Sequence, residues 1–228
     1  MNRKFQVFLP IAFLVLASLA CGTFSGGGES TPLPTETQPP AVKTLLSDDF
    51  TSSRWGTATD ANGSIEYANA ALQFMIYTKN WFTWSTPNDT TYQNVRIEVT
   101  AINNQSDPTT ALGILCNKQP AQDSFYYFAM TPAGEYAIAR AATGQSDVFL
   151  TNNDKWASSS LIARNAPSYR LAADCGNGAF TFYVDGKKID SVSDAAYTSG
   201  GVGLLVWSGE EATNTNIAFD DFLVAELP

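Results

Sequence analysis

The chain has 228 residues, with 13 Lys and Arg against 22 Asp and Glu and no histidine, for a formal charge of −9. The lack of histidine excludes Ser-His-Asp triads, Cys-His dyads and imidazole metal ligands, and so acidic a chain lacks the basic patch that nucleic acids require. Only 15% of residues are charged while 12% are aromatic, a balance that suits an extracellular β-protein rather than a helical bundle.

Arg3 and Lys4 precede an apolar run from Phe8 to Ala20. A bilayer core of roughly 30 Å needs about 20 apolar residues, so this shorter run predicts a signal peptide over residues 1–20. It ends in Ala17-Ser18-Leu19-Ala20-Cys21, which resembles a bacterial lipobox, although Ser18 stands where that motif usually has leucine. The resemblance implies lipidation at Cys21 and an extracytoplasmic, lipid-anchored place in a bacterial cell envelope. The competing reading is an ordinary secretory signal, with Cys21 a bystander. More than one acyl chain is needed for stable anchoring, and a lipidated N-terminal cysteine supplies that. Loss of Arg3 and Lys4 leaves 11 basic against 22 acidic residues, a charge of −11, so the lipid rather than the protein body would hold the membrane. Residues 21–42 continue from that cysteine as a linker rich in Gly, Ser, Thr and Pro. They have no apolar pattern able to build a core, which predicts a tether of roughly 25 Å.

From residue 43 to 228 short apolar runs alternate with turn signals, and no run keeps a helical period. Val95, Ile97, Val99 and Ala101 alternate with Arg96, Glu98 and Thr100, a strand wet on one face. Ala111 to Cys116 suits a buried central strand. Phe125–Met130 and Glu135–Arg140 flank a Thr131–Gly134 hairpin, and Asp185-Gly186 marks a two-residue turn after Phe180–Val184. Ser168–Cys175, Val202–Trp207 and Ile217–Val224 complete the set. The expected fold is all-β, a two-sheet antiparallel sandwich.

Several strings, in this order, carry a family likeness: Asp48-Asp49-Phe50 with Trp55, Asn80-Trp81-Phe82-Thr83-Trp84-Ser85, Asp123-Ser124-Phe125-Tyr126-Tyr127-Phe128, Thr181-Phe182-Tyr183-Val184-Asp185-Gly186 and Phe219-Asp220-Asp221-Phe222. Together they resemble the concanavalin A-like lectin/glucanase jelly rolls, most closely the laminin-G-like and 3-keto-disaccharide hydrolase-like variants on bacterial lipoproteins. The resemblance implies a jelly-roll sandwich and one of several functions: a non-catalytic glycan-binding or adhesion domain, a glycoside hydrolase acting on (3-keto-)disaccharides, or a structural or protein-interaction module of the envelope.

Cys116 and Cys175 are the two cysteines left once Cys21 is lipidated, and an oxidising compartment favours a disulfide between them. The laminarinase-type members carry a Glu-x-Asp-x-x-Glu strand, which this sequence lacks. Glu98 reads as a surface partner of Arg96, and no catalytic residue is assigned. The candidate ligand-binding residues are instead aromatic: Trp81, Trp84, Tyr127, Tyr136 and Trp156, offered as a stacking platform for a neutral glycan or envelope polysaccharide. Packing in the sandwich core competes for every one of them. Tyr126 and Phe128, opposite in strand parity to Phe125 and Tyr127, are the better core residues. Asp49 and Asp221, near the two ends of the domain, are candidate ligands for a structural Ca²⁺, because unbroken strand parity turns Asp221 inward. Hydrogen bonds from turn amides would satisfy the same carboxylates.

Overall fold

The computed structural model describes residues 42–105, 107–211 and 214–227. Cys21, the signal segment and residues 22–41 of the linker lie outside the described residues. One sheet contains β1 (Thr44–Asp48), β2 (Ala58–Thr59), β3 (Gly63–Ala68), β4 (Ala71–Ile76), β6 (Val95–Asn103), β12 (Ser168–Gly176), β13 (Ala179–Val184), β14 (Lys187–Ser193) and β16 (Thr215–Glu226). The other contains β5 (Phe82–Ser85), β7 (Ala111–Lys118), β8 (Phe125–Met130), β9 (Glu135–Ala141), β10 (Val148–Phe149), β11 (Ala157–Ser158) and β15 (Gly201–Trp207). Strand order is β14-β13-β12-β6-β16-β4-β3-β2, with β1 also on β16, against β10-β9-β8-β7-β15-β5, with β11 on β9. All pairings are antiparallel, and the described residues contain no helix. The first and last strands pair, Asp48 opposite Phe222.

Period-two patterning builds the layer between the sheets. Val95, Ile97, Val99 and Ala101 of β6 and Tyr169, Leu171, Ala173 and Cys175 of β12 are all buried and meet Ile114, Tyr126 and Phe128 of the opposite sheet. A disulfide joins Cys116 of β7 to Cys175 of β12, tying one sheet to the other. The outer face of the larger sheet is polar. Arg96 grips Asp174, its direct cross-strand neighbour, through two hydrogen bonds of 2.6 and 2.8 Å. Glu98 therefore pairs not with Arg96 but with Arg170, at 3.0 Å. A carboxylate directly opposite Arg96 outcompetes one two positions along the same strand. The Asp185-Gly186 turn has both residues at positive φ, 51° and 74°, the twist a two-residue hairpin needs.

Strand parity does not run unbroken through β16. Ile217 and Phe219 point into the core, and so do Phe222 and Val224. Reversing parity between them requires an extra residue, and the register against β6 shifts between Asp220 and Leu223. Asp221 takes that place at φ 53° and is exposed. The inward carboxylate on which the Ca²⁺ reading of Asp221 rested is thus absent. Asp49 is exposed too, with Oδ1 accepting from the Thr51 amide at 3.1 Å and the Thr51 hydroxyl at 2.7 Å. Those bonds lower its pKa, the hydroxyl contributing most. The buried carboxylate of this corner is Asp48, which accepts from the Phe50 amide at 2.9 Å and the Trp55 indole at 3.2 Å.

Candidate functional site

A second apolar surface lies on the outer face of the seven-stranded sheet. In β7, Leu112, Ile114 and Cys116 enter the core, so Ala111, Gly113 and Leu115 face outward. Register places Ala129 and Leu205 on either side of Gly113, and Ala139 beside Tyr127. The floor therefore sets Ala111, Gly113, Ala129 and Ala139 beside Leu115 and Leu205, and the small members leave a recess. Gly113 is required by close approach, since a Cβ there would lie 2.1 Å from the Phe128 carbonyl oxygen of β8.

Large rings stand around that floor. Phe82 and Trp84 rise from edge strand β5, and Phe125 and Tyr127 from β8. Phe82 stacks on Phe125 with centroids 6.3 Å apart, and Trp84 meets Phe125 edge-on at 5.9 Å. Phe149 and Trp156 close the opposite flank, 6.3 Å apart, and Trp207 stands at the end of β15. The Trp207 indole N–H donates to Asn80 Oδ1 at 3.0 Å, which fixes its ring. The hollow they enclose holds about 420 Å³, within the range of small-ligand sites. It continues at one end into a polar hollow of about 710 Å³ past Asp123 and Thr143, and at the other into one of about 380 Å³ past Trp156 and Trp207.

Charge enters only at the rim. Asp147 accepts from the Tyr127 hydroxyl at 2.8 Å. Burial drives the Tyr127 phenol well above its ordinary value, and the Asp147 charge adds to the shift. Burial also raises the Asp147 carboxyl, with the Tyr127 bond opposing it. Lys118 Nζ lies 4.9 Å over the Trp84 ring and 3.6 Å from Asp123. Within the hollow, β7, β8 and β15 present no carboxylate.

Of the five aromatics singled out from sequence, Trp84, Tyr127 and Trp156 are brought together here. Tyr127 is 4% exposed, covered by the rings around it, so it shapes the hollow more than it touches solvent. Trp81, 38% exposed, faces away into a smaller recess beside Asp60 and Met75. Tyr136 leaves the site altogether. It points between the sheets, its hydroxyl donating to Asp190 at 3.0 Å, and its pKa is pushed up to about 12 by burial and then by Asp190. Tyr126 and Phe128 lie in the main core as parity indicates. Phe82, Phe149 and Trp207 belong to the site but were not singled out. Their signal was the small-residue face of β7 and β9, which marks a recess needing walls.

The architecture has close geometric counterparts. A carbohydrate-binding module, CBM66 from Bacillus subtilis, superposes with a TM-score of 0.59 at 14% identity, covering 76% of this chain and 96% of that one. A protein of unknown function with a galectin-like fold, from the same organism, gives 0.60 at 13% identity, covering 82% and 98%. The κ-carrageenase of Pseudoalteromonas carrageenovora, solved with a κ-carrageenan oligotetrasaccharide, gives 0.58 at 11% identity, covering 86% and 99%. The fold is the concanavalin A-like jelly roll. In sequence, neither a family model nor a curated protein matches. Within this jelly roll, the aromatic hollow occupies the outer face of the smaller sheet, and the larger sheet turns its ion pairs to solvent.

Proposed function

We propose that this domain binds a glycan without catalysis, on the end of a lipid-anchored tether at the extracytoplasmic face of a bacterial envelope. The observation that carries the reading is the hollow itself: aromatic walls over a floor of alanine and leucine, with carboxylates confined to its rim. Sugar rings present apolar C–H faces that stack on indoles, and flanking Asn and Asp side chains take hydroxyls. Glycoside hydrolysis needs two carboxyl groups on either side of one bond; the two that line the hollow, Asp123 and Asp147, lie at its rim, one paired with Lys118 and the other bonded by Tyr127, and β7, β8 and β15 add none. The structural counterparts include a carbohydrate-binding module and a glycanase bound to oligosaccharide, which supports a glycan as partner. The acidic chain disfavours polyanionic polysaccharides, leaving neutral or basic ones.

A broad glycan panel titrated with the full chain is expected to give a hit with Kd between high micromolar and millimolar, equivalent to roughly 4–6 kcal/mol. Trp156→Ala should abolish that binding while Tm stays within a few degrees, because Trp156 is only partly buried. A panel without hits at millimolar concentration overturns the glycan reading, and hydrolysis of a hit favours the (3-keto-)disaccharide hydrolase. For anchoring, labelled palmitate should enter the protein at Cys21, and Cys21→Ser should prevent it. A Cys21→Ser protein that is processed and retained like the parent overturns the anchor.

A further inference from the structure

The carboxylates around the groove differ in what neutralises them. Asp123 has Lys118 at 3.6 Å, Glu211 has Lys79 at 2.8 Å, and Asp194, beyond the polar end, has Arg140 at 3.7 Å. Asp147, and Glu135 and Glu210 at the end past Trp156 and Trp207, have no Lys or Arg within 4.0 Å among the described residues, and of these three Asp147 is the one lining the aromatic hollow itself. Its one hydrogen-bond donor among them is the neutral Tyr127 hydroxyl, on Oδ2, so Oδ1 is left open. It lines the same hollow as Phe149, Trp156 and Trp207. Asp147 is exposed, so a ligand in the hollow can reach its open oxygen, and the aromatic faces that line the hollow with it themselves attract cations.

The chain already contains this combination with an ammonium in place. Lys118 lies over the Trp84 face and against Asp123, a ring and a carboxylate sharing one cation. Asp147 lines the hollow together with Phe149, Trp156 and Trp207, and among the described residues no Lys or Arg stands within 4.0 Å of it. We propose that the hollow selects glycans carrying a free amino group, the ammonium docking on Asp147 while the sugar faces stack on Trp156 and Trp207. This rests on the glycan reading above and narrows it to basic, 2-amino-2-deoxy-type sugars. N-acetylation would remove the charge that Asp147 recognises and add bulk between the sugar and the carboxylate.

The test is calorimetric titration of the full chain with three oligosaccharides of equal length: β-1,4-linked glucosamine, its fully N-acetylated form and β-1,4-linked glucose. The glucosamine oligomer should bind about tenfold more tightly than the other two. Asp147→Asn should reduce that preference to about twofold or less and leave the glucose oligomer's affinity nearly unchanged. Glu66→Gln removes the same charge from the exposed face of the other sheet and should retain the preference. Equal affinity for the amino and N-acetylated oligomers overturns the inference. So does a preference that survives Asp147→Asn or is lost equally in Glu66→Gln, the latter marking diffuse attraction to an acidic protein. Absence of binding to all three also overturns it, whereas the wider glycan reading stands or falls on the broad panel and on Trp156→Ala.

Discussion

Replacing Cys116 and Cys175 together with alanine is expected to destabilise the domain by about 4 kcal/mol, a fall in Tm of roughly 8–16 °C. The bridge spans a sequence separation of 59 residues, and in the chain-entropy account its stabilisation grows with the logarithm of the loop it closes. Its position adds to the effect. Cys116 lies in β7, flanked by β8 and β15, and Cys175 in β12, flanked by β6 and β13, so one bond joins inner strands of both layers. Both residues are fully buried, and alanine leaves no unsatisfied hydroxyl, as serine would. Thermal unfolding of the double variant beside the oxidised parent measures the loss. A midpoint unchanged within a degree or two would show that packing alone holds the sheets together.

The frame of the sandwich was legible in sequence because its signals are local. Alternation over Val95–Ala101 marks a one-sided strand, and the Asp185-Gly186 pair marks the hairpin between β13 and β14. The bulge in β16 was legible in principle. Ile217 and Phe219 share one parity while Phe222 and Val224 share the other, and all four are large and apolar, so a residue must be skipped between them. Reading Asp221 by unbroken parity placed its carboxylate on the wrong side. Glu98 was assigned to Arg96 because same-strand spacing can be read from one strand, whereas the Arg96–Asp174 pairing depends on register across β6 and β12.

The site was harder to read, since aromatic composition does not say which face a ring occupies. Within Phe125–Phe128 alternation separates the faces correctly, Tyr126 and Phe128 entering the core and Phe125 and Tyr127 the hollow. The same logic applied to β9 removes Tyr136. Tyr136 and Ile138 alternate with Ala137, Ala139 and Ala141, and the bulky set belongs between the sheets. Phe149 reaches the hollow from a two-residue strand and Trp156 from the residue just before another, and neither stretch is long enough to show any period. Asp147 precedes β10 in a polar turn, and nothing in its neighbours along the chain points to Tyr127, 20 residues away.

Gly113→Ala is expected to cost about 3 kcal/mol and to lower Tm by roughly 6–12 °C, a large effect for one added methyl group. The φ of Gly113 is not in the left-handed region, so the cost is not one of backbone conformation. It comes from space: the new Cβ would sit 2.1 Å from the Phe128 carbonyl oxygen and 3.0 Å from the Ala129 Cα. Both are backbone atoms of the paired strand, which no rotamer change can move aside. Relief requires β7 and β8 to separate where Gly113 faces Ala129. Phe125 and Tyr127 lie on that same strand β8, so the walls of the hollow shift with it. Glycan affinity should therefore fall along with stability, although Gly113 carries no side chain to touch a ligand. Gly56→Ala is the matched control, since a Cβ there meets nothing closer than the Ser85 hydroxyl at 3.6 Å, and its Tm should move by a degree or less. If Gly113→Ala melts like Gly56→Ala, the close approach of β7 and β8 does not set the floor of the hollow.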